Sequence, residues 1–242
     1  MGDRLFHILF YGTLSVLYAA LLFLDIRSSY VMSTYIKYVS IILCFAAALY
    51  TGINNRQPLV AVTSALTLFA DTFLLLLDDH YIAGVTAFAI IQTLFGIYIE
   101  ILRNIRYIFL SRIMIYAIAV ILILSVPGTD GVAIVSAWSY VNLVLNVFQL
   151  TQVLLSASNT KYKHKISAQY KKHLALLTAG MWLFLGCDTC VGLTNLSAYI
   201  PGSITGTALL TVSFLMWVFY LPSQVLIVSA FMYNPDKSCS TG

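Results

Sequence analysis

The feature that most constrains this chain is a series of eight continuous apolar runs, at roughly 5–24, 33–51, 58–77, 81–102, 107–126, 132–155, 174–196 and 202–232. Wound as a helix, a run of about 20 residues matches the hydrocarbon thickness of a bilayer. Inside a bilayer every backbone N–H and C=O needs a partner within the chain, which leaves helices or a closed barrel. The runs are continuous rather than alternating, and this favours helices. The last run is longer than a bilayer requires and contains Pro222, so a tilt or kink is expected there. Breakers at Gly52 to Pro58, Pro127-Gly128 and Pro201-Gly202 mark joins.

Composition excludes the soluble alternatives. Of the 242 residues, 60% are hydrophobic and 9% charged, against about 25% charged in a soluble domain. A soluble fold of this size cannot bury so much apolar surface. The expected fold class is therefore all-α, a polytopic transmembrane helical bundle of about eight helices forming one integral membrane domain over residues 1–242. Met1 and Arg4 precede the first run, but no soluble body follows it as it would follow a cleaved signal, so this run reads as helix one. The net charge of +4 sits in the joins and is no nucleic-acid signal.

Eight spans sort the charges into two sets. Arg4, Arg56, Arg103, Arg106, Arg112, Lys161, Lys163, Lys165, Lys171, Lys172 and Lys237 fall on the side of the termini, leaving only Arg27 and Lys37 on the other. The positive-inside rule then puts both termini in the cytoplasm, at the plasma membrane if the chain is bacterial. Asp25, Asp78, Asp79 and Asp130 fall outside. The Lys161 to Lys172 stretch reads as a topology anchor beside anionic lipid.

Two carboxylates break the apolar pattern. Asp71 in helix three and Asp188 in helix seven each precede a threonine, and each lies about 10 Å from the outer end of its span at 1.5 Å per residue. An ionisable group within a span is costly and faces a polar interior or a partner. Helices three and seven are each third in a set of four, and the two Asp-Thr stretches raise the idea of two four-helix repeats. Ser64, Thr67, Asp71 and Asp78 share one face of helix three. Asp188, Gly192 and Asn195 share one face of helix seven, and Asn142, Asn146 and Gln149 one face of helix six. Three stripes predict a polar cavity, although hydrogen bonds between helices explain any one of them. Lys37, near the depth of the aspartates, is a candidate partner for one of them or for a phosphate. Gln92 is a second buried amide. Gln224 follows Pro222 and reads either as a site residue or as the donor for the Val218 carbonyl that the proline leaves unserved. Cys187 and Cys190 have redox spacing, but four cysteines in distant apolar segments read as small hydrophobes. No metal-ligand pattern and no Gly-x-Ser-x-Gly elbow are present, and no cofactor is expected.

The order of motifs resembles that of the YhhN-type lysoplasmalogenases. Tyr35-Ile36-Lys37-Tyr38 stands where that family carries Lys-Pro, and Ala70-Asp71-Thr72-Phe73-Leu74-Leu75-Leu76 where it carries Gly-Asp and leucines. Gly84-Val85-Thr86-Ala87-Phe88 leads to Gln92 and Phe95 where the family has His and Tyr. Phe184-Leu185-Gly186-Cys187-Asp188 resembles its Phe-x-x-Ser-Asp, and Tyr220-Leu221-Pro222-Ser223-Gln224-Val225-Leu226-Ile227 its final aromatic and Gln. Tyr38, Ala70, Gln92 and Cys187 replace the family's Pro, Gly, His and Ser. The resemblance spans 35–230 and implies hydrolysis of the vinyl ether of a lysoplasmalogen. Asp71 and Asp188 would be catalytic, with Lys37, Gln92, Asn142, Asn146, Gln149 and Gln224 lining the site. The partner implied is a membrane lipid or lysolipid entering sideways with its head group at the outer rim. The competing class is a proton-coupled carrier using the same aspartates as a relay, for which a four-helix repeat suits alternating access.

Overall fold

The computed structural model describes residues 2–77, 80–103, 108–125, 130–158, 167–199 and 206–233. The joins at Asp78-Asp79, Pro127-Gly128 and Pro201-Gly202, the lysines Lys161, Lys163 and Lys165, and Lys237 and Cys239 lie outside the described residues, as does Arg106. The described residues form eight helices: α1 (Gly2–Ile26), α2 (Tyr30–Asn54), α3 (Pro58–Asp71), α4 (Tyr81–Arg103), α5 (Ile108–Leu124), α6 (Gly131–Ser158), α7 (Ala168–Tyr199) and α8 (Thr207–Met232). Seven segments are long and apolar enough to cross a membrane, and α5 contributes a shorter apolar helix. The protein is a multi-pass α-helical membrane protein.

Local chemistry sets the ends. Pro58 occupies the first turn of α3, where its missing N–H costs nothing. Asp130 accepts from the Ala133 amide at 3.0 Å to cap α6, and Ser167 accepts from the Tyr170 amide at 3.1 Å to cap α7. The second cap starts α7 six residues before its apolar run. Ser28 and Arg56 adopt left-handed φ values of 57° and 55° after α1 and α2. There the Ser29 and Gln57 amides reach back to the Leu24 and Gly52 carbonyls, closing both helices in Schellman fashion.

Helix α8 is packed along α7 and also meets α1, α2 and α3, while the neighbours run α1–α2–α3–α4–α6–α7. Gly180 lets α7 approach α8 closely: a Cβ there would lie 3.1 Å from both the Ser223 carbonyl oxygen and the Ile227 amide nitrogen. Helix α5 stands at the periphery against α6. Pro222 lies inside α8, and the Val218 carbonyl is served by the Tyr18 hydroxyl of α1 at 2.9 Å. The donor expected from Gln224 thus comes from another helix.

Burial is uneven along the membrane normal. Residues 207–216 of α8 and 131–138 of α6 include no buried residue, and from 188 to 195 of α7 only Cys190 is buried. Over 220–231 of α8, by contrast, nine of twelve positions are buried. At the end nearer the termini, His173 of α7 is hydrogen-bonded to the Tyr98 hydroxyl of α4 at 2.9 Å and donates to the Ala230 carbonyl of α8 at 2.8 Å. Phe231 packs against both rings. The interior is thus tied shut near the termini and loosens toward the opposite end.

Candidate functional site

Asp71 ends the α-helical part of α3, and the chain continues as a π-helix over Thr72–Leu77. Single π turns inside α-helices recur at functional positions because the widened turn re-aims side chains. The Thr72 hydroxyl donates to the Leu68 carbonyl at 2.7 Å and accepts from the Tyr38 hydroxyl of α2 at 2.9 Å, so the widened turn is tethered to α2.

The Asp71 carboxylate is buried, and its Oδ2 accepts a 2.7 Å hydrogen bond from the Tyr220 hydroxyl of α8. Tyr220 is held between Trp217, edge-on at 5.3 Å, and Phe184 of α7 at 6.0 Å. Phe184 in turn meets Phe88 of α4 at 5.7 Å. Asp188 of α7 is half-buried, one residue beyond the buried Cys187. Both carboxylates lie within electrostatic range of the Tyr220 hydroxyl and of the Cys187 thiol. Asp71 is thus held directly by Tyr220, whereas Asp188 reaches that hydroxyl and the Cys187 thiol only through its charge. Cys44, Cys187 and Cys190 are free buried thiols.

Other expected residues have different partners. Lys37 is paired with neither intramembrane aspartate: its Nζ lies 2.9 Å from Asp25 Oδ2, and the Ser33 hydroxyl donates to the same carboxylate. The α1–α2 turn delivers Asp25 to Lys37 directly, which is why this local pair forms. Lys37 nevertheless sits beside the site, with Nζ 4.7 Å from the centre of the Trp217 ring. On α3 the Thr67 hydroxyl turns back to the Thr63 carbonyl. On α7 the polar stripe leaves the core after Asp188, with Gly192 and Asn195 exposed. Gln224 is buried in α8.

The stripe on α6 serves a separate centre. Asn142 and Gln149 accept, each at 2.8 Å, from the two terminal nitrogens of Arg112 in α5. Asn146 donates to the Gln92 backbone carbonyl of α4 at 2.8 Å. Arg112 is 1% exposed, so a residue expected among the loop charges is one of the most deeply buried side chains. Glu100 of α4 approaches its Nε at 3.5 Å. The single common cavity expected from three stripes is thus two centres, one of carboxylates between α3, α7 and α8 and one of amides around Arg112.

The chain matches no family model, no curated protein and no solved structure.

Proposed function

We propose that this protein is a membrane-embedded hydrolase of the lysoplasmalogenase type, cleaving the vinyl ether of a lysoplasmalogen or related lysolipid with Asp71 and Asp188. The observation that carries this reading is the buried hydrogen bond from Tyr220 to Asp71, with Asp188 close enough for its charge to act on the same hydroxyl. It is supported by the motif order that resembles the YhhN family.

Hydrolysis of a vinyl ether begins when an acid protonates the carbon β to the oxygen, leaving an oxocarbenium ion. Asp71 receives the Tyr220 hydrogen bond, which favours the carboxylate form. Among the described residues no donor is bonded to Asp188, and the role of acid is assigned to it. Asp188 gives its proton to the β-carbon. The Asp71 carboxylate stabilises the cation and takes a proton from the attacking water. The resulting hemiacetal collapses to a fatty aldehyde as its hydroxyl proton passes to the departing glycerol oxygen. The proton left on Asp71 returns to Asp188 by way of the Tyr220 hydroxyl, which is bonded to Asp71. Both carboxylates regain their starting states, and the net consumption is one water.

The lipid enters from the end where α6, α7 and α8 carry few buried residues, with Lys37 near its phosphate. Ten basic residues on the side of the termini, with the buried Arg112 left out, support cytoplasmic termini, which puts this end in the outer leaflet, of the plasma membrane in a bacterium.

The test is aldehyde release from lysoplasmalogen by purified protein in micelles, wild type beside Asp71→Asn and Asp188→Asn. Release by the wild type that is lost in both variants, each eluting as the folded monodisperse species, supports the reading. Equal turnover in all three would overturn it. No turnover in micelles, with uptake only into sealed vesicles bearing a proton gradient, would replace the enzyme by a carrier.

A further inference from the structure

Four buried side-chain atoms with no hydrogen-bond partner belong to one seam between α4, α5 and α6: Gln92 Nε2, Arg112 Nε, Asn146 Oδ1 and Ser139 Oγ. Gln92 and Asn146 are completely buried, and Ser139 is 5% exposed. Their grouping follows from the fold. Ser139, Asn142, Asn146 and Gln149 lie on one face of α6 at spacings of three and four. Asn146 holds Gln92 through the α4 backbone. A Cβ at Gly96 of α4 would lie 2.9 Å from Arg112 Nη1 and 3.3 Å from Asn146 Oδ1, so both groups stand against this glycine.

The guanidinium is not saturated. It has five N–H groups and uses two of them on Asn142 and Gln149. The Glu100 carboxylate at 3.5 Å from Nε is beyond hydrogen-bonding distance, yet it shows that an oxyanion can stand against this edge of the cation. Glu100 keeps 17% of its side chain exposed, so the seam reaches the surface at this residue. Buried polar atoms in native structures are otherwise nearly all partnered. Those left over here are donors on Arg112 and Gln92, a hydroxyl on Ser139 and one acceptor on Asn146. That set complements an oxyanion that carries a proton of its own.

We propose that this seam is a second binding site, taking a small protonated oxyanion of the hydrogen phosphate or bicarbonate type at the free edge of Arg112. The ligand accepts from Arg112 and Gln92 and donates its proton to Asn146. Glu100 occupies the edge in the ligand's place and swings toward solvent when the ligand enters. The site is independent of the carboxylate centre and of the reaction proposed there.

The experiment is isothermal titration of the purified full chain in detergent with inorganic phosphate at neutral pH, chloride serving as the proton-free control. Wild type is expected to bind phosphate saturably and in preference to chloride. Glu100→Gln removes the internal competitor and is expected to tighten binding about tenfold, whereas a purely structural Arg112 network predicts no gain. Gln92→Leu leaves the ion pair intact and is expected to weaken binding about tenfold. Asp71→Asn is expected to bind phosphate as wild type does, which separates this site from the carboxylates. Absence of saturable phosphate binding in both wild type and Glu100→Gln would overturn the proposal. So would phosphate binding that Gln92→Leu leaves unchanged, or chloride binding as tight as that of phosphate.

Discussion

Tyr18 of α1 donates its hydroxyl hydrogen to the Val218 carbonyl of α8 at 2.9 Å, across the one break that Pro222 makes in the helical hydrogen bonds of α8. Tyr18→Phe leaves that carbonyl without a donor and is expected to cost about 1 kcal/mol of stability. Pro222→Ala restores an N–H four residues on. In that background Tyr18→Phe should therefore cost far less, and thermal unfolding of the four proteins in the cycle measures the difference.

The same helix carries the hydroxyl that meets Asp71. Tyr220→Phe removes a 2.7 Å bond to a carboxylate and, in the proposed mechanism, the relay to Asp188. Aldehyde release is expected to fall about 100-fold, within the range of a lost acid–base group, while the protein remains monodisperse. In an Asp71→Asn background the same change should have little further effect.

Lys37→Met leaves Asp25 buried without its cation and is expected to destabilise by about 3 kcal/mol. Adding Asp25→Asn should recover most of this loss, and adding Asp71→Asn should not. Unfolding temperatures of the two double variants decide which carboxylate the lysine serves.

Gly180→Ala sets a methyl group 2.8 Å from the Ile227 side chain and 3.1 Å from the α8 backbone. A loss of about 1–3 kcal/mol is expected, as for other overpacked interiors. Gly192→Ala, where an added Cβ meets nothing within 4 Å, should lack this steric cost in the same thermal assay.

These residues also show what the sequence could convey. The spans were legible because length and continuous apolarity act along the chain, where a sequence records them. Asp71 and Asp188 stood out because a carboxylate is rare in such a setting, and counting residues placed both at one depth. Tyr220 was marked among 16 tyrosines only as the aromatic of the last resembling motif, with nothing to tie it to Asp71. Its role depends on which face of α8 meets α3, a rotation that no spacing in α3 reports. Lys37 pairs with Asp25 rather than with Asp71 or Asp188, because a turn-linked aspartate outcompetes a distant one. Arg112 was counted with the loop charges because only four residues separate it from the start of α5, and a long side chain can bend either way from there. The polar face of α6 was the available clue, since Asn142 and Gln149 needed a donor.

Arg112 also bears on how the chain is made. Its acceptors in α6 follow it by 30 and 37 residues. Among the described residues that precede α6, only Glu100 stands within reach of this cation. An α5 without α6 is therefore expected to sit shallow in the lipid, with the arginine at the interface. Deep burial of Arg112 thus depends on α6, and the two helices are expected to settle into the bundle together.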